Sequence, residues 1–102
     1  MIKHIVMWKL KERAEEADKL TNARRIKAEL ESLRGRIPGM LTLEVGLNVD
    51  PSSAAFDVVL YSEFESADAL RAYQAHPDHL LVSQFIGRVR SDRVLVDYEP
   101  GR

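Results

Sequence analysis

His4, His76, His79 and Tyr73 are the residues of this sequence best suited to moving a proton, and three of them crowd into Tyr73-Gln74-Ala75-His76-Pro77-Asp78-His79. Imidazole titrates close to neutral pH and can both take and return a proton, while a phenol can donate a hydrogen bond to an oxygen that is gaining charge. Other chemistries lack their parts. The chain has no cysteine, hence no thiolate nucleophile, and no Gly-x-Ser-x-Gly turn for an activated serine. His76 and His79 stand three apart around Pro77, with Asp78 between them, which could set both on one side of a turn. A transition-metal site recruits three or four ligands in fixed geometry, and this spacing matches no zinc signature, so no metal is expected. Gly35 and Gly39 flank a helix end and form no phosphate loop.

The elements that must position these groups follow from the spacing of apolar residues. From Ile2 to Leu10 the pattern alternates, with His4, Val6, Trp8 and Leu10 on one face and Lys3, Ile5, Met7 and Lys9 on the other, which predicts a strand. Leu20, Ala23, Ile26, Leu30, Leu33 and Ile37 then recur at steps of three and four, predicting an amphipathic helix of about five turns that Pro38-Gly39 ends. A second strand places Leu41, Leu43, Val45, Leu47 and Val49 on one face. Asp50-Pro51-Ser52-Ser53 is a turn cluster before a third strand near Phe56 to Phe64, in which Val58, Leu60 and Phe64 alternate with Val59 and Tyr61. Ser66 is positioned to cap a helix carrying Ala69, Leu70 and Tyr73, and Pro77 interrupts or restarts it, with His76 capping the first piece. Val94, Val96 and Tyr98, alternating with Arg93, Leu95 and Asp97, predict a last strand.

The order is βαββαβ, which predicts an α+β, ferredoxin-like domain over residues 1–102 with a four-stranded antiparallel sheet. In that arrangement the first and third predicted strands are central, and these are the two with apolar residues on both faces. Two helices cover one face only, leaving Ile5, Met7, Val59, Tyr61 and Leu95 open. Covering such a patch is worth several kcal/mol, at about 1.5–3 kcal/mol for each fully buried large apolar side chain. A second copy packed face to face is the simplest cover, so a homodimer is expected.

With 102 residues, 15 Lys+Arg against 16 Asp+Glu and a formal charge of −1, nothing here forms a polycationic surface, and no nucleic-acid partner is expected. Arg24-Arg25 and Lys27 precede Glu29 and Glu31 at pairing distance and read as a solvated helix face. No apolar run suits a signal peptide or a membrane span, and the lack of cysteine makes the cytoplasm the default compartment.

Ile2-Lys3-His4-Ile5-Val6, Ile37-Pro38-Gly39, Phe56-Asp57-Val58-Val59-Leu60, Phe64-Glu65-Ser66, Leu70 through His79 and Val96-Asp97-Tyr98 together resemble the stress-responsive A/B barrel (Dabb) family of the dimeric α/β-barrel group. The resemblance spans essentially the whole chain. It implies a homodimer with a cleft between sheet and helices that holds a small organic molecule. A plant polyketide cyclase of that family, which closes a ring by aldol condensation, keeps a first-strand histidine and the Tyr and last His of its Tyr-x-x-His-Pro-x-His segment in that cleft. Those roles would fall on His4, Tyr73 and His79, with Val6, Trp8, Val58, Leu70 and His76 completing the lining. A histidine that the cyclase carries on its third strand has no match, since Asp57, Val58 and Val59 stand there. The implied activities are a cyclase or lyase or, as in other dimeric α/β barrels, a monooxygenase, none needing a cofactor. A binding module without turnover is the rival. Sequence leaves His4 open as well, between an acid–base group and a core histidine bonded to Tyr73 or a main-chain carbonyl.

Overall fold

The computed structural model describes residues 1–102. The elements are β1 (Ile2–Leu10), β2 (Arg13–Ala14), β3 (Ala17–Asp18), α1 (Lys19–Glu31), β4 (Met40–Leu47), β5 (Val58–Phe64), α2 (Ala67–Ala75), α3 (Pro77–Val89) and β6 (Arg90–Tyr98). Four strands form one antiparallel sheet in the order β4-β5-β1-β6, so the doubly apolar strands β1 and β5 are central, as the ferredoxin-like arrangement demands. No helix is long and apolar enough to cross a membrane.

The register sorts the side chains. His4, Val6 and Trp8 lie opposite Ser62, Leu60 and Val58 of β5 and opposite Asp97, Leu95 and Arg93 of β6, and all of these face the helices. Val6, Trp8, Val58 and Leu60 are buried there with Ile26 and Leu30 of α1 and Phe85, Ile86 and Val89 of α3. The opposite face carries Ile5, Met7, Val59, Tyr61, Val94, Val96 and Tyr98, with no layer over it. Leu95 therefore does not belong to the open face, contrary to the sequence reading. It shares the helix side with Val6 and is exposed because the helices stop short of the β6 edge, where every residue is exposed.

Three further expectations are corrected by local chemistry. The first helix begins only at Lys19, because residues 13–18 fold into a two-residue hairpin with Glu15 and Glu16 both at positive φ, the geometry of a type I′ turn. Asp18 then caps α1 by accepting from the Thr21 amide at 2.8 Å, and the buried Asn22 side chain donates to Ala14 O and holds the hairpin. The helix ends at Glu31, so Leu33 and Ile37 reach the core from turns, and Leu20 is exposed. In β4 a register shift between Met40 and Thr42 turns Leu41 out to solvent, and Val49 lies beyond the strand and is exposed.

The caps and charge pairs stand where the spacing put them. Ser66 accepts from the Ala69 amide at the start of α2, Pro77 occupies the first turn of α3, and Arg25–Glu29 and Lys27–Glu31 pair along α1. Gly39 has φ +82°, and a Cβ there would come within 2.6 Å of Ala69 Cβ, so this glycine lets the loop after α1 lie against α2.

Candidate functional site

A cleft of about 230 Å³ opens between the sheet and α3, lined by His4, Val6, Trp8, Tyr73, His79, Arg93 and their neighbours. His4 enters from β1 because its position in the alternation is even, the same phase that buries Val6 and Trp8. Tyr73 comes from the last turns of α2, and His79 from the first turn of α3. His76 joins the two helices, ending α2 and capping α3 by accepting from the Asp78 amide through Nδ1. That break turns the chain so that the Tyr73 and His79 rings meet at 4.4 Å between centroids. The His4 ring stands edge-on to Tyr73 at 6.3 Å.

Five of the sequence-predicted residues thus converge: His4, Tyr73, His79, Val6 and Trp8. Three do not line this cleft. Val58 is buried in the core beside Trp8 on the same sheet face, Leu70 borders a separate hollow near Ile2 and Tyr98, and His76 is engaged in its cap. No group of three or more His, Cys, Asp or Glu side chains is placed to hold a metal ion.

His4 is buried, and its partner is neither Tyr73 nor a main-chain carbonyl: Nδ1 lies 2.5 Å from Asp97 Oδ1. A carboxylate only accepts, so Nδ1 carries a proton, and in the neutral ring it is Nε2 that holds the lone pair. Sequence reasoning sets Asp97 in the last strand and in the closing Val96-Asp97-Tyr98 but gives it no role in the site. Its signal was the ferredoxin order itself, which sets the last strand beside the first and makes its Arg93, Leu95, Asp97 phase available to His4.

His79 is half-buried, and its Nδ1 lies 3.2 Å from Gln74 O. A carbonyl also only accepts, which again leaves Nε2 as the free lone pair. Burial holds the His79 pKa below its ordinary 6.5, with His4, Arg93 and His76 acting in the same direction against the hydrogen bond to Gln74. The folded protein therefore binds this proton less well than the unfolded chain, and stability is lost as pH falls from 6.5 through the lower folded value. A histidine NMR titration should show His79 with a midpoint below 6.5 and thermal stability declining over the same window; a midpoint at or above 6.5 would contradict this placement.

Tyr73 is fully buried, and its hydroxyl has no hydrogen-bond partner. Burial raises its pKa well above the ordinary phenol value, so the group remains a neutral O–H donor. An unsatisfied buried hydroxyl costs about 1–3 kcal/mol, which a core tyrosine would normally avoid by reaching water or a carbonyl.

This frame has known counterparts. A model of the stress-responsive A/B barrel domain matches residues 2–100. The chain belongs to this family. An uncharacterised protein of Streptomyces coelicolor is 29% identical to it over 97% of this Dabb chain and 99% of its own. The crystal structure of a dimeric protein of unknown function with a ferredoxin-like fold, from Bacteroides fragilis, is similar with 34% identity and a TM-score of 0.86, covering 96% of this chain and 94% of that one. A hydroxynitrile lyase from Passiflora edulis shares the Dabb chain's fold at 19% identity, with a TM-score of 0.77 and 95% and 90% of the two chains covered.

Proposed function

We propose that this Dabb protein is a homodimer whose subunits each bind a small organic carbonyl compound in the cleft, and that the cleft moves a proton at the carbon beside the carbonyl without a cofactor. The observation that carries this reading is the unpartnered Tyr73 hydroxyl, a donor kept protonated by burial on a ring that packs against both the His4 and His79 rings. The volume lies below the roughly 300–1,000 Å³ of sites for drug-sized ligands, so the ligand is small.

In the proposed step His4 Nε2 removes the proton, the C–H electron pair becomes the C=C bond of an enolate, and the oxygen takes the hydrogen bond that Tyr73 donates. Asp97 compensates the charge that the His4 ring acquires. The protonated His4 Nε2 can return the proton to the carbon, and the neutral, half-buried His79 offers a second free imidazole lone pair in the cleft. Removal of a proton beside a carbonyl is the opening step of an aldol-type cyclase, and the fold is shared with a protein named as a hydroxynitrile lyase, a different reaction on the same frame. The pairing of copies is supported by the open apolar face and by the dimeric state of the Bacteroides fragilis relative.

The test is deuterium exchange into the methyl group of acetophenone in D2O, followed by NMR, for the wild type and for Tyr73→Phe. The wild type should accelerate exchange over buffer. Tyr73→Phe should slow it about tenfold to a hundredfold, while melting at the same or a higher temperature because an unsatisfied hydroxyl has left the core. A wild type no faster than buffer would leave a binding module without turnover. A variant that melts well below the wild type would mean that the hydroxyl holds structure instead.

A further inference from the structure

We infer that the ligand of this cleft carries a carboxylate, received at the mouth by the guanidinium groups of Arg90 and Arg93. The inference rests on the small-molecule reading above and adds the ligand's charge. Both arginines line the cleft, and Arg93 shares the helix-facing side of the sheet with Trp8 and His4 through its register opposite Trp8. Neither pairs with a carboxylate of the chain. That sets them apart from the arginines around the larger surface hollows: Arg71 pairs with Asp68, Arg102 with Glu99, Arg25 with Glu29, Arg36 with Asp78 and Arg88 with Glu15.

The remaining lining consists of apolar, aromatic, imidazole and hydroxyl side chains, with no acidic one, in a protein whose formal charge is −1. The cationic mouth is thus a local arrangement. Guanidinium is planar and meets a carboxylate through two parallel hydrogen bonds, so a pair of them both attracts and orients the ligand. Charge count favours a monoanion. The Asp97 carboxylate behind His4 repels each added negative charge, so the two guanidinium groups receive a carboxylate against less opposition than a doubly charged phosphate. The apolar floor of Val6, Trp8 and Ile86 suits the body of such a molecule. A small oxo acid fits all three features: an anion for the arginines, an apolar body for the floor and a carbonyl for Tyr73.

The probes are 4-acetylbenzoate, its neutral counterpart 4-acetylbenzamide and 4-acetylphenyl phosphate, titrated by NMR on the histidine and Tyr73 signals. The benzoate should bind about a hundredfold more tightly than the amide. Arg90→Gln and Arg93→Gln should each weaken the benzoate about tenfold and leave the amide unchanged, while Arg24→Gln on the outer face of α1 changes neither. Equal affinity for benzoate and amide would overturn the inference, as would equal losses of both probes in the arginine variants. Tighter binding of the phosphate would overturn the choice of a carboxylate. The underlying proton-transfer reading fails separately: acetophenone has no anionic group, so inert acetophenone with a selectively bound benzoate sinks proton transfer and leaves the carboxylate site standing.

Discussion

Asp97→Asn should reduce the exchange of acetophenone protons by about a hundredfold to ten-thousandfold while barely changing the melting temperature. Asparagine has nearly the shape of aspartate but presents an amide that can donate. Facing His4 Nδ1 at the present 2.5 Å, it can hold the tautomer whose proton sits on Nε2, and the lone pair that faces the cleft is then lost. The carboxylate that offsets the ring's charge after proton removal is lost with it. A structural role for Asp97 predicts the reverse balance, a lower melting temperature with little change in exchange. The distinction is measurable without substrate, because 15N shifts of the His4 ring separate the two tautomers. The wild type should carry its proton on Nδ1 and the variant substantially on Nε2. A variant with the wild-type tautomer and full activity would remove Asp97 from the mechanism.

That this carboxylate went unassigned in the sequence, while His4, Tyr73 and His79 did not, reflects what periodicity carries. Alternation along β1 places His4 on the buried side with Val6 and Trp8, and steps of three and four place Tyr73 beside Leu70, because each pattern lies within one element. The Ser66 and His76-Pro77 signals are local too, since caps act over three residues. Asp97 becomes a partner of His4 only through register between residues 93 positions apart. In β6 apolar residues occupy both phases around Leu95, so alternation alone does not choose which phase faces the helices, and the structure puts Leu95 on the helix side. The short α1 has a similar cause. Leu33 and Ile37 keep the helical spacing and are buried, but turns deliver them, and burial alone does not distinguish a helix from a turn at the right distance.

Val96→Asp is the substitution that should change the assembly most. Val96 lies opposite Ile5 on the open face of the sheet, among Met7, Val59, Tyr61, Val94 and Tyr98, and half of its surface is exposed in one copy. In a face-to-face pair its side chain would be enclosed by the partner sheet, where a carboxylate loses its hydration among Ile5, Met7 and Val94, a cost of several kcal/mol. Sedimentation at micromolar concentration should give two copies of the 11.6 kDa chain for the wild type and single copies for the variant. Leu81→Asp is the control, because Leu81 is 68% exposed on α3 and belongs to the other side of the molecule. It should leave the mass unchanged. A monomeric wild type, or a Val96→Asp variant that still pairs, would sink the face-to-face arrangement. The consequence reaches the cleft through β6, which is exposed along its whole length and hydrogen-bonded on one edge only, to β1. In that arrangement Val94, Val96 and Tyr98 would meet the partner while Arg93 and Asp97 face the cleft and His4, so the partner sheet would brace the strand that orients His4. Val96→Asp should accordingly slow acetophenone exchange as well, although its side chain points away from the site, and raising the protein concentration until the variant pairs should restore the rate.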